Sequence, residues 1–89
     1  MLKAKYTRQF KKDYKKLKYS YRNIDSLDVI ISKLLHEEIL EPTQKDHPLH
    51  GKWKGFRECH IDGDWLLIYY KDKESITFVR TGTHSELFS

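Results

Sequence analysis

A small α+β fold is the class this sequence predicts: two N-terminal helices packed on a small antiparallel sheet, in the order β-α-α-β-β-β. Three observations lead there. Apolar residues in the first half recur at helical spacing, first Phe10, Tyr14 and Leu17, then Ile24, Leu27, Ile31, Leu34 and Leu35. The second half carries apolar runs of strand length, separated by the turn signals Ile61-Asp62-Gly63 and Asp72-Lys73-Glu74. The chain has 89 residues, which makes one domain, residues 1–89, with no room for a second.

The first strand is signalled by Leu2, Ala4 and Tyr6 alternating with Lys3 and Lys5. Thr7 is a suitable N-cap for the first helix. Lysines 11, 12, 15, 16 and 18 fill the positions around its apolar stripe, so the helix is amphipathic and strongly basic. Tyr19-Ser20-Tyr21 makes a short link, and Ser20 or Asn23 starts the second helix. Glu41-Pro42-Thr43 ends the helical stretch, because proline disfavours helix in the residue before it. Residues 42–52 then read as loop, in which Pro48 stiffens the chain around His47. Trp53–Ile61 reads as a strand, followed by a three-residue hairpin loop that sets His60 opposite Asp64. Trp65–Tyr70 is almost wholly apolar, as expected of a central strand buried on both faces. Ser75–Arg80 is the last strand, with Ile76, Phe78 and Arg80 sharing a face by its period of two. Thr83 and Glu86 match a capping box, with room left for one helical turn.

Composition bounds the partners. Apolar residues are 38%, charged ones 34% and aromatics 13%, so the chain is polar but not of disordered type. The net charge of +4 is unevenly spread. Residues 1–22 hold nine Lys/Arg and one acid, residues 23–46 two and six, and residues 47–89 six and six. A basic block of that density fits a polyanion or an acidic protein, or else a solvated helix face. Cys59 stands alone and cannot form an internal disulfide, which favours a reducing compartment. Neither a signal peptide nor a membrane span is expected, and the predicted location is the cytoplasm.

Three of the five histidines, His47, His60 and His84, sit beside turns or strand ends, with Arg57, Arg80 and Asp64 spaced among them. Imidazoles and guanidiniums together suit chemistry on a phosphate. RNA cleavage without metal needs a base for the 2′-hydroxyl proton and an acid for the departing 5′-oxygen. It also needs a cation or donor array on the phosphoryl oxygens. The histidines can fill the first two roles and Arg80 the third, with Asp64 orienting His60 or supporting its charged form. His36 and His50 read as structural or solvated. A zinc site of His47, His60, Asp64 and His84 is the rival, but no local ligand spacing supports it, so no metal and no cofactor is expected. Cys59 adjoins His60 in a strand, so the two point to opposite faces and do not pair as nucleophile and base. Phe56 and Phe88 could stack on bases, whereas Trp53, Trp65, Tyr69, Phe78 and Tyr14 read as core.

These segments also carry a resemblance. Asp46-His47-Pro48-Leu49, Trp53-Lys54-Gly55-Phe56-Arg57, Cys59-His60, Asp64-Trp65-Leu66-Leu67-Ile68-Tyr69 and the run from Arg80 to Phe88 resemble the YafQ branch of the RelE/ParE toxin superfamily. The resemblance implies a microbial-ribonuclease-like fold. It also implies a toxin of a type II toxin–antitoxin pair that cleaves mRNA in the ribosomal A site. Its implied partners are a cognate antitoxin, the ribosome and mRNA, with DNA reached only through the antitoxin complex. The family's catalytic positions fall on His47, His60, Asp64 and His84, its C-terminal aromatic on Phe88 and a phosphate-facing arginine on Arg80. Lys11, Lys12, Lys15 and Lys16 would then face ribosomal RNA. A ParE-like gyrase inhibitor, or a basic nucleic-acid-binding module with structural histidines, are the alternatives.

Overall fold

The computed structural model describes residues 1–88. Its elements are β1 (Lys3–Tyr6), α1 (Arg8–Leu17), α2 (Ile24–Leu35), β2 (His47–Pro48), β3 (Arg57–Asp62), β4 (Trp65–Lys71), β5 (Ser75–Thr83) and α3 (His84–Phe88). Short 3-10 turns occupy Pro42–Gln44 and Gly51–Trp53. The five strands form one sheet in the order β1-β5-β4-β3-β2.

Both long helices start where the sequence places their caps. The Thr7 hydroxyl oxygen accepts from the Phe10 amide at 2.9 Å and donates to the Val79 carbonyl at 2.8 Å, so one side chain begins α1 and ties it to β5. Asn23 caps α2 through the Asp25 amide at 3.0 Å. Phe10 and Leu17 are buried, while Lys11, Lys12, Lys15 and Lys16 are exposed. Asp13 shares the buried side of α1 with them, at 5% exposure.

The sheet departs from the antiparallel expectation. β1 pairs in parallel with β5, from Lys3 opposite Ser75 to Tyr6 opposite Phe78, so the sheet is mixed. Between the two the chain passes through α1 and α2 to the far edge of the sheet at β2 and returns strand by strand through β3 and β4. The order also gains two elements, the two-residue strand β2 within the expected loop and the terminal turn α3. The strand expected from Trp53 begins later, at Arg57, because Gly51 and Gly55 adopt φ of +65° and +95° and turn the chain instead. The β3–β4 hairpin is tighter than expected. Asp62 pairs with Trp65 across Gly63-Asp64, and a bulge at Ile61 takes up the extra residue, so His60 lies opposite Leu66 rather than Asp64.

Alternation along the strands sorts two clusters to the two faces. Trp65, Leu67, Tyr69, Cys59, Ile76 and Phe78 meet Phe10, Leu27, Ile30 and Leu34 on the helix side. Leu66 and Ile68 point the other way, where Leu87, Leu49, Trp53, Phe56, Val79 and Phe88 pack around them. β4 is therefore buried on both faces, as its apolar run predicts.

Candidate nucleolytic site

The face away from the helices carries the titratable cluster. His47 on β2 and Glu58 on β3 are register partners, and their side chains meet with Nε2 to Oε2 at 3.1 Å. Glu58 is buried at 6% exposure, and the alternation of β3 puts His60 beside it on the same face. The ligand atoms of His47, Glu58 and His60 lie within 4.8 Å of one another. The other ring nitrogen of His47, Nδ1, faces the Pro48 carbonyl at 3.1 Å. Both ring nitrogens thus face oxygen acceptors. Nδ1 of His60 lies 3.4 Å from the Gly63 carbonyl.

His84 opens α3 at the end of β5. Thr83 and Glu86 form the expected box, with the Thr83 amide donating to Glu86 Oε1 at 2.7 Å and the Glu86 amide donating to Thr83 Oγ1 at 3.2 Å. That backbone donation is the chief cause holding the Glu86 carboxyl below its ordinary range. A Cβ at Gly82 would approach Glu86 Oε1 to 3.1 Å, so the bare glycine lets α3 fold close over the strand end. The His84 ring packs at a 42° tilt on Phe88, with centroids 4.9 Å apart, and Phe88 packs edge-on against Trp53 at 5.8 Å. Phe88 is thus part of the aromatic floor of this face and remains half-exposed.

Three expected site residues have partners that the sequence reading did not give them. Asp64 does not meet His60; its Oδ1 accepts from the His84 amide at 3.3 Å and so anchors the start of α3. Arg80 is not a free cation. Nε and Nη2 donate to the two oxygens of Asp13 at 2.9 and 3.2 Å, and the same carboxylate accepts the Thr81 amide at 3.2 Å. Asp13 thereby caps the edge of β5 beyond the end of β1. Its hydrogen bonds are the main cause raising the Arg80 pKa. Arg57 lies on the helix side, opposite Tyr69, with its Nε 3.2 Å from Asp46 Oδ1 and 3.3 Å from the Tyr69 hydroxyl. Burial alone would lower its pKa, but the Tyr69 and Asp46 contacts together raise it. Cys59 is wholly buried on that side, and burial pushes its thiol far up, which fits an inert core residue.

Glu58 and Asp13 are the residues the sequence reading missed. A signal for each was present: Glu58 stands two residues from His60 in a strand, and Asp13 is the one acid in the basic block, on the stripe of Phe10 and Leu17.

A family model for the bacterial toxin of the type II toxin–antitoxin system, YafQ, matches residues 2–89. The chain belongs to this family. It is 38% identical over 84 residues to the mRNA interferase toxin YafQ of Escherichia coli K12, covering 93% of this chain and 91% of that protein. One chain of the crystal structure of the E. coli DinJ–YafQ complex superposes with a TM-score of 0.92 at 36% identity, covering all of this chain and all of that one. A copper-bound mutant toxin from Helicobacter pylori superposes with a TM-score of 0.93 at 42% identity, covering 99% of this chain and all of that one. Here His47, Glu58 and His60 are the described residues whose ligand atoms converge closely enough to hold such an ion.

Proposed function

We propose that this YafQ-family toxin is a ribosome-dependent endoribonuclease that cuts mRNA in the A site by metal-independent acid–base attack of the 2′-hydroxyl. The observation that carries the reading is the buried Glu58 carboxylate, 3.1 Å from His47 on the face shared with His60. A carboxylate sunk beside an imidazole orients the ring and stabilises the imidazolium that forms when the ring takes up a proton. Held through Nε2 by Glu58, the His47 ring therefore takes the 2′-hydroxyl proton on Nδ1 as the substrate displaces the Pro48 carbonyl contact, and the freed oxygen attacks the adjacent phosphorus. His60 donates to the phosphoryl oxygens as charge builds there. His84 protonates the departing 5′-oxygen, and Asp64 fixes the turn that presents it. Phe88 and Phe56, half-exposed on the same face, offer surfaces for the splayed bases. With Arg57 and Arg80 engaged elsewhere, the histidines carry the phosphate chemistry.

The exposed Lys11, Lys12, Lys15 and Lys16 suit ribosomal RNA phosphates, contacts that position without reading sequence and weaken with salt. Changing all four to Gln should weaken ribosome binding and flatten its salt dependence while leaving cleavage positions unchanged. The E. coli DinJ–YafQ complex supports a cognate antitoxin as the neutralising partner. No helix among the described residues is long and apolar enough to cross a membrane.

The test is cleavage of mRNA on programmed ribosomes. His84→Ala should lower the rate about 10²-fold or more, the scale for losing a general acid, with the fold kept. A single 2′-deoxy nucleotide 5′ to the cut should abolish cleavage. Wild-type rates with His84→Ala, or cutting of the 2′-deoxy message, would overturn the mechanism. Copper or zinc held by His47, Glu58 and His60 takes up the lone pairs that the chemistry uses, so either ion should inhibit; stimulation of cleavage by the ion would count against the metal-independent route.

A further inference from the structure

We infer that Asp46, Arg57 and Tyr69 form a positioning network that works through the sheet, clamping β2 to β3 from the helix side so that His47 stays against Glu58 on the opposite face. This rests on the catalytic reading of His47 above and extends it to three residues that touch neither substrate nor the reacting atoms.

β2 has little of its own to hold it. It is two residues long, paired as His47 with Glu58 and Pro48 with Arg57, with a further bond from the Leu49 amide to the Phe56 carbonyl at 2.9 Å. Pro48 has no amide hydrogen to add to the ladder. The chain also enters β2 through Lys45 at φ +44°, a left-handed conformation that a non-glycine residue keeps only where neighbours enforce it.

The Lys45 amide closes the preceding turn on the Pro42 carbonyl at 3.1 Å, and the next residue, Asp46, is fixed by its side chain. Its Oδ1 accepts from the Tyr69 hydroxyl at 2.6 Å and from Arg57 Nε at 3.2 Å. Tyr69 is a fixed post, 2% exposed on the central strand β4. Burial, then the Asp46 bond, raises its pKa well above the ordinary phenol value, so the hydroxyl remains a donor. Neighbouring residues on a strand point to opposite faces. Asp46 and Arg57 each immediately precede a member of the catalytic pair, so the ion pair behind the sheet mirrors the His47–Glu58 pair in front of it. Moving Asp46 moves the backbone that carries His47. Small displacements of a catalytic group lower rates steeply.

Tyr69→Phe removes the donated hydrogen bond and keeps the ring, and Asp46→Ala removes the acceptor at a partly exposed position that the fold tolerates. Single-turnover cleavage on programmed ribosomes should slow by about 10-fold in either variant, with the toxin concentration for half-maximal rate unchanged. Asp46→Asn keeps an acceptor oxygen for both donors and should recover most of the rate lost in Asp46→Ala. The deciding measurement is a double-mutant cycle. In a His47→Ala background, Asp46→Ala should cause no further loss, because the network acts through His47; a general structural role would slow both backgrounds equally. A full extra 10-fold loss in that background, or wild-type rates for Tyr69→Phe and Asp46→Ala, would overturn the inference. Should His47→Ala alone cleave at the wild-type rate, the catalytic reading itself fails, and the two failures are told apart.

Discussion

The two faces of the sheet are built from the same strands and do opposite work. On the helix side, Leu67, Ile76, Phe78 and Cys59 have no exposed surface, and two long helices close over them. On the other side Leu66 and Ile68 are as deeply buried, but their cover is a pair of tight turns, an aromatic floor and the five-residue α3. Thin cover leaves room at its edge for His47, His60 and His84. The helix side turns its charged groups into structure, with Asp13 and Arg80 closing a strand edge. The open side leaves Glu58 sunk beside a histidine that solvent can reach. The closed core and the proposed site are thus separated by the two-residue period of a strand.

Substitutions on the two faces should therefore fail in different currencies. The largest effect belongs to Phe78→Ala, which empties a site with no exposed surface in the helix-side core. A loss of about 3–5 kcal/mol is expected, read by urea unfolding; a small domain has little more to lose. His60→Ala should reverse the pattern, with cleavage down about 10²-fold and an unfolding midpoint within about 1 kcal/mol of wild type. Equal loss of stability and activity in both variants would erase the distinction between the faces. Asp13→Ala comes next. It leaves the Arg80 guanidinium without its carboxylate and the Thr81 amide without its acceptor, and should cost about 2–3 kcal/mol. The smallest effect is at Glu86. Its folded-state pKa is depressed, so its contribution is present above the ordinary carboxyl value of 4.5 and fades as pH falls through the lower folded value. Hydrogen exchange at the Thr83 amide, relative to a Glu86→Gln control, should accelerate selectively in that acid window.

Much of this was legible in the sequence. Thr7, Asn23 and the Thr83–Glu86 box announced helix ends because capping is local, and the apolar run of β4 announced its central place. Family membership was legible in the segments from Asp46 to Phe88, and His47 and His60 do converge. What escaped was long-range or register-dependent. The parallel return of β1 leaves no local mark, since strand patterning is blind to the direction of the partner. The hairpin turns at Gly63-Asp64 rather than at 61–63, and with the bulge at Ile61 this sets His60 opposite Leu66, two residues beyond Asp64, a change of turn that periodicity cannot foresee. Arg57 and Arg80 looked available for phosphate because their partners, Asp46 and Asp13, lie 11 and 67 residues away.

The parallel pairing of β1 with β5 has a consequence for the order of assembly. Residues 3–6 find their strand partner at residues 75–78, and the Thr7 and Asp13 bonds to β5 span 72 and 67 residues. Contacts so distant in sequence require closing almost the whole chain and set the pace of folding. During synthesis the basic helix leaves the ribosome first, yet the strand that anchors it is made last. A nascent or prematurely ended chain that stops short of Ser75 has neither a seat for β1 nor a partner for Asp13, and His84 has not yet been added. Completion of the last fifteen residues thus joins the N-terminus to the sheet and adds His84 to the face that carries His47 and His60 in one event, so a chain that stops short of them lacks both the closed sheet and the full set of histidines.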